Sequence, residues 1–500
     1  MNQFFSILIP LVLAAGALIA GNPRLTEIKR QILLRAISIA LGISTILVAI
    51  AFFRITEQNS EYLLRLNAIN LTVLFLVSFM AIILIKFSEG YMRSEKQSHK
   101  FWRWLLLSLT SVSVVVLSNN LLLLWLGWVS ISLCFHRLLL FYPDRPRAVF
   151  AAHKKFILAR LAEACLLGAV LLLYSHHGTL QLNFILDHYQ GLATTDELSF
   201  IEKLASFLIA QTALIKCAQL PLHGWLIQVV EAPTPISALL HAGIINLGGF
   251  LLISFAPLMA LAPVAQWTLI IVAGLSTLIS ALVMVTRISI KVRLAWSTCA
   301  QMGLMLIECA LGLYELALLH LITHSLYKAY AFLSTGEAVH DFGLKQLAPQ
   351  KKVSFESAVI CLSLAVAVTA AIPLLTSYDG PLSVWLLVNT ALALYLVSAF
   401  NQSNKRAWLP ALVIAAGLLG FYLAGKSLLM ILFLCLFALT VQIRLFPQAK
   451  QTQTLYRWLF SGLYLDEMMT RLTLQLWPVV LRPKIKQSKT EQQSIEESWV

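Results

Sequence analysis

His320, His324 and Lys328 are the residues of this sequence whose types and spacing most clearly point to chemistry; they lie in Leu319-His320-Leu321-Ile322-Thr323-His324-Ser325-Leu326-Tyr327-Lys328. Four residues apart, they drift only about 80° around a helix and rise about 12 Å along it, so they form one polar stripe on an otherwise apolar surface. Imidazole exchanges protons near neutral pH, and a lysine kept from water can trade its proton with such a neighbour. Bridged by water, the three can pass protons through the middle of a membrane. Interhelical hydrogen bonding for packing is the alternative. An ionisable group at the bilayer centre costs roughly 2.5 to 3.5 kcal/mol, and three in register favour the relay.

A second group surrounds an expected helix break. Lys216 precedes Gln219-Leu220-Pro221-Leu222-His223. Pro221 lacks the donor for the carbonyl four residues back and its ring clashes there. Broken helices at membrane depth are tolerated where they are buried in protein or line a wet cavity, and transporters place ion sites at them. Glu231-Ala232-Pro233-Thr234-Pro235 then reads as a tight loop, with Thr234 as N-cap, Pro235 as first helical residue and His241 two turns on. Lys216 sits deep in its apolar run and reads as a proton-carrying centre; snorkelling to the interface is its other reading. Glu163 lies three residues after Arg160, spaced to pair on one helix face. Glu308 and Glu337 stand alone in their runs, and His136 and Arg137 lie near a helix end.

Composition says what must position these groups. Of 500 residues, 59% are hydrophobic and 12% charged, against about 25% charged in soluble domains. About fifteen apolar stretches reach spanning length, and they are continuous, not alternating as in membrane barrels. The chain is therefore an all-α polytopic membrane protein with about 14–15 transmembrane helices. The first run, 4–20, lacks the basic leader of a signal peptide and reads as a span.

The net charge of +14 is concentrated in alternate loops: Arg24, Lys29 and Arg30; Arg93, Lys96, Lys100 and Arg103; Arg145, Arg147, Lys154 and Lys155; Arg287, Lys291 and Arg293; then Lys345, Lys351 and Lys352, and Lys405 and Arg406. The opposite loops hold little beyond Arg54, Arg65, Lys203 and Lys426. Basic loops face the cytoplasm, which puts the N-terminus outside and the C-terminus inside. The outer loop over 175–203 has room for an amphipathic segment, and 453–481 reads as an interfacial helix or a short last span. The seven cysteines form no C-x-x-C pair and read as small buried hydrophobes. No phosphate-cradling loop, metal-ligand spacing, redox-cofactor site or Ser/His/Asp arrangement stands out.

Several segments resemble subunit L of bacterial NADH-quinone oxidoreductase and its cation-antiporter relatives: 87–95 (FSEGYMRSE), 119–128 (NNLLLLWLGW), 216–223 (KCAQLPLH), 233–242 (PTPISALLHA), 294–298 (LAWST) and the His320–Lys328 stripe. The resemblance runs in order from about residue 70 to 375. It implies two inverted five-helix bundles, each with a broken helix, at Pro221 and at Pro373. Lys216 would be the central lysine of the first bundle and Lys328 that of the second, with His241, His320 and His324 between them. The candidate proton relay is thus Lys216, His223, Glu231, His241, His320, His324 and Lys328, with Glu163 beside it. The expected divisions are N-terminal scaffold helices over 1–103, the first bundle over 104–255, the second over 256–400, further helices over 401–447, and a cytoplasmic amphipathic segment and polar tail over 448–500. Tyr464-Leu465-Asp466-Glu467 is similar to a short acidic motif that follows the family's core.

Three departures bear on function. Val129 stands where the family carries an acid that pairs with the first-bundle lysine, and Glu163 is the expected substitute. No lysine follows Ala371-Ile372-Pro373-Leu374; the nearest ionisable group is Asp379. The long lateral helix that braces complex I is not expected here. The run over 241–250 (HAGIINLGGF) resembles one subgroup, DabB, the membrane subunits of two-component inorganic carbon uptake systems. That resemblance implies a DabA-like soluble zinc protein as partner, with flow of protons or sodium ions driving CO2 or bicarbonate capture, and no cofactor in the membrane subunit. The alternatives are a redox-driven pump of NADH dehydrogenase or hydrogenase type, a multi-subunit Na+/H+ antiporter, and a membrane scaffold that only anchors an enzyme.

Overall fold

The computed structural model of the chain describes residues 2–54, 64–192, 197–337 and 450–478, and among these it contains helices and no strands beyond isolated bridges. Pro373, Asp379, the helices expected over 401–447 and the polar tail lie outside the described residues. Seven described helices are long and apolar enough to cross a membrane, which makes the chain a multi-pass membrane protein.

Side-chain caps set the start of three of the described helices. Helices α1 (Asn2–Ala20) and α2 (Glu27–Arg54) form the N-terminal pair. Asn67 caps α3 (Ala68–Tyr91) by accepting from Asn70 N at 2.8 Å. After α4 (Ser98–Leu117), Asn120 caps α5 (Leu121–Leu139) through Leu122 N and Leu123 N. The boundary expected after residue 103 therefore falls inside α4. Helix α6 (Pro146–His177) begins with proline in its first turn and ends at Gly178, whose φ of 67° suits glycine. Its 32 residues reach about 48 Å, well past a hydrocarbon core of about 30 Å.

That length corrects one expectation. Lys154 and Lys155 are not loop residues: both lie in α6, 0% and 4% exposed. The segment over 175–203 contains a short helix, α7 (Leu182–Gln190), which buries Leu182, Ile185, Leu186 and Tyr189.

Helix α8 (Phe200–Lys216) opens on a capping box between Ser199 and Glu202. It ends at Lys216, ahead of the break. The chain then makes α9 (Gly224–Gln228), α10 (Thr234–Ala242), α11 (Leu247–Ser254) and α12 (Ala256–Ala260). The cap is shifted by one from expectation, since Pro233 is the N-cap and Thr234 the first helical residue. Of the apolar window in 234–254, 94% is buried, so this helix is surrounded by others and needs no polar face. A second interruption, absent from the sequence reading, follows His241 at Gly243 and the 3-10 turn Ile244–Asn246. Gly248 lets α11 approach α8, since a Cβ there would fall 3.0 Å from Ala213 O.

Helices α13 (Pro263–Val285), α14 (Ile290–Ala310) and α15 (Tyr314–Leu333) close the central block. Helices α11 and α12 meet at Phe255. Two short helices, α16 (Lys450–Phe460) and α17 (Glu467–Leu476), fold beneath α6 and α13. At 11 and 10 residues neither can span a bilayer, which takes about 20 residues.

Candidate functional site: buried ionisable side chains

The break after Lys216 is built by side chains that recover the freed backbone groups. Ala218 takes a φ of 52°, uncommon for a residue with a Cβ, and Leu220–Pro221 is cis. Gln219 Nε2 donates to Cys217 O at 2.8 Å and Cys299 O at 3.3 Å, and Leu220 N donates to Ser276 Oγ at 2.9 Å. Helices α13 and α14 thus hold the turn open at depth, as water cannot.

Lys216 is 6% exposed, and its Nζ lies 5.0 Å from the centre of the Trp128 ring, a cation–π contact. Trp128 is the residue before Val129, so the indole occupies the neighbourhood where the family's acid is expected. No carboxylate of the described residues lies within ion-pair distance of Lys216. Glu163, 4% exposed, is paired instead with Arg160 at 2.8 Å, while Arg160 also donates to Ser132 Oγ at 3.0 Å. Lys155 Nζ donates to Ser132 O at 2.9 Å. Lys155, Arg160, Glu163 and Lys216 interact electrostatically, so three cations share one acid. Glu163 is therefore a neighbour of the whole group, not a dedicated partner of Lys216.

The stripe on α15 is as expected, and α14 supplies its partners. Lys328, fully buried, donates from Nζ to Ser297 Oγ at 2.9 Å and Leu294 O at 3.1 Å. Leu294 O also accepts from Thr298 Oγ1 at 2.9 Å, and Thr298 Oγ1 lies 3.2 Å from His241 Nδ1. His241, fully buried, stacks on Phe332 with ring centres 4.3 Å apart. His241 and Lys328 are thereby joined through one hydroxyl and one carbonyl.

His320 lies between Glu308, 3.0 Å from its Nδ1, and Gln301, 3.0 Å from its Nε2. Its ring centre is 6.1 Å from that of His324. Both ring nitrogens of His324, and Nε2 of His241, find no hydrogen-bond partner among the described residues. Such buried groups cost about 1–3 kcal/mol unless paired, and bridging water is the usual remedy. Glu308, 3% exposed, is not isolated as its sequence suggested. Its partner is 12 residues away across a turn, beyond the reach of any helical spacing.

His223 is 2% exposed with its ring against Trp296 at 4.9 Å. It interacts with Asp466, which anchors a cluster at the base of α6. Lys154 Nζ lies 2.5 Å from both Asp466 oxygens and 2.9 Å from Thr470 Oγ1, and Gln228 Nε2 donates to Asp466 Oδ2 at 3.2 Å. Glu231 is exposed in the 3-10 turn Val229–Glu231, apart from the buried row. Pro221 is exposed too. Thr298 and Gln301, with Ser297 as a partner of Lys328, are members that the sequence reading did not single out; Glu308, Lys155 and Asp466 were named there but without these partners. An apolar helix carrying polar residues at 297, 298, 301 and 308 was the available signal, since these fall near one face.

An all-helical, multi-pass fold with a buried file of lysines and histidines is that of a membrane ion-transport subunit. Residues 118–404 match the family described as NADH:quinone oxidoreductase/Mrp antiporter, TM. The chain is 43% identical over 467 residues, 89% of each chain, to the probable inorganic carbon transporter subunit DabB of Hydrogenovibrio crunogenus. It is 34% identical to the probable subunit DabB2 of Halothiobacillus neapolitanus, over 83% of this chain and 80% of that one. Its fold matches a chain of the Mrp complex from a Dietzia species with a TM-score of 0.61 at 19% identity, over 100% of this chain and 59% of that one. The chain belongs to the NADH:quinone oxidoreductase/Mrp antiporter family, and within it to the inorganic carbon transporter subunits DabB.

Proposed function

We propose that this chain conducts protons as the membrane subunit of an energy-coupled pump for CO2 or bicarbonate, working with a soluble zinc partner of the DabA type. The observation that carries the conduction step is the linked set His241–Thr298–Leu294 O–Lys328, continued by His324 and His320. Every member is a proton-exchanging side chain or a group that orients one, and the unpartnered nitrogens of His324 and His241 are where water completes the path. Lys216 and Lys328 are the proton-carrying centres of the two bundles. His223 serves the path at its cytoplasmic end and Glu163 tunes the Lys216 group, whereas Glu231, at the surface, acts at the mouth. The names of the relatives support the inorganic carbon cargo.

In this reading the chain lies in the cell inner membrane, N-terminus outside and C-terminus in the cytoplasm. It is a transporter subunit, and any carbonic-anhydrase-like chemistry belongs to the partner. The test is the partner itself: the chain, tagged at its C-terminus and extracted in mild detergent, is expected to bring down one large soluble zinc protein. Copurifying iron–sulfur subunits, or a set of small hydrophobic antiporter proteins, would keep conduction and overturn the cargo.

A further inference from the structure

At the end of α6 remote from Lys154, three side chains from two helices converge. His176 and His177 close α6, and Glu202 lies in the first turn of α8. One donor atom from each lies within 4.8 Å of the others, and His176 Nε2 is 3.5 Å from Glu202 Oε1. Tetrahedral zinc with bonds of about 2.0–2.1 Å places its ligands about 3.3–3.4 Å apart. One edge is therefore already near its liganded length, and rotation of the exposed His176 ring closes the remainder.

The surroundings orient these donors as outer-shell groups do. Ser199 N donates to Glu202 Oε2 at 2.7 Å, which leaves Oε1 directed at His176. The Tyr189 hydroxyl meets His177 Nε2 at 2.8 Å and also bonds Glu202. Lys203, the nearest cation in sequence, is paired with Glu197 at 3.6 Å. Two imidazoles and one carboxylate with an open fourth position suit a borderline divalent ion.

We propose that His176, His177 and Glu202 form a Zn2+-class binding site on the outer face, with water as fourth ligand. The ion ties the end of α6 to the start of α8. These two helices carry Glu163 and Lys216, so the site clamps the pair that frames the first bundle's lysine.

The test uses the full-length chain, carrying a tag without histidines and stripped with chelator, titrated with Zn2+ alone and separately with Co2+. One Zn2+ per chain is expected at micromolar concentration, and Co2+ should give the visible absorption of a four-coordinate N/O site. His176→Ala, a change at an exposed position outside the transport path, should weaken binding at least tenfold, and His177→Ala likewise. Glu202→Gln removes the charge but also disturbs the cap of α8, so the histidine variants decide. No saturable Zn2+ binding, or binding unchanged in both histidine variants, overturns the site and leaves the cluster a hydrogen-bonded tie between helices.

Discussion

Glu308 shows what a single side chain does in this protein. It is buried, and His320 is its hydrogen-bonded partner at 3.0 Å. Glu308→Ala leaves the half-buried imidazole of His320 without that partner, a loss of about 1 kcal/mol, and should lower the detergent melting temperature and slow transport together. Glu308→Gln keeps a hydrogen bond and should recover stability more than rate; equal recovery of both would reduce Glu308 to a packing group. Ser297 and Thr298 orient rather than carry: Ser297→Ala removes one of the two acceptors of Lys328 Nζ and is expected to slow transport severalfold without unfolding the chain. Lys216, Lys328 and the histidines were legible in the sequence because charge is rare in apolar runs. Their partners were not, because Ser, Thr and Gln are unremarkable in a membrane helix and the contact between α14 and α15 is tertiary.

Elements explain why the buried ionisable residues stay in place. The break after Lys216 was visible in Pro221, yet the hydroxyl that accepts from Leu220 N belongs to Ser276 and the carbonyl that anchors the Gln219 side chain to Cys299, 56 and 80 residues away, and no local pattern announces them. The docking of α16 and α17 was equally hidden, although Asp466 lies in a motif that drew notice. Lys154, fully buried, is held by Asp466, whose side chain is 26% exposed. Asp466→Asn leaves that lysine without its counter-charge, and removal of one partner of a buried pair costs about 3–5 kcal/mol, toward the lower figure at so open a position. Limited proteolysis should then cut near Gly462 faster. Gly224→Ala should do the same by another route, because its Cβ would collide with the Asp466 carboxylate. If both variants resist protease as the parent does, α16 and α17 are not held by this contact.

For the molecule as a whole, burial separates a protein-facing interior from a lipid-facing exterior. On α2, Ile39, Ile43, Ile46 and Ile50 are 47–64% uncovered by the described residues, at helical spacing along one face. A charge there faces hydrocarbon at roughly 2.5 to 3.5 kcal/mol near the centre; Ile43→Arg should reduce the amount of chain in the membrane fraction, and an unchanged level would place that face against protein. Fold class was readable from composition and run length because a bilayer imposes helices. The link between His241 and Lys328 was not, since it depends on how α10, α14 and α15 meet.

Conduction through Lys216 and Lys328 is the central claim, and uptake of radiolabelled inorganic carbon tests it most directly. Cells making the chain together with the proposed soluble partner would be compared with the Lys216→Ala and Lys328→Ala variants at matched levels in the membrane. The account predicts a loss of tenfold or more in each variant, with the residual uptake insensitive to a protonophore. Uptake equal to the parent's in both variants would contradict it.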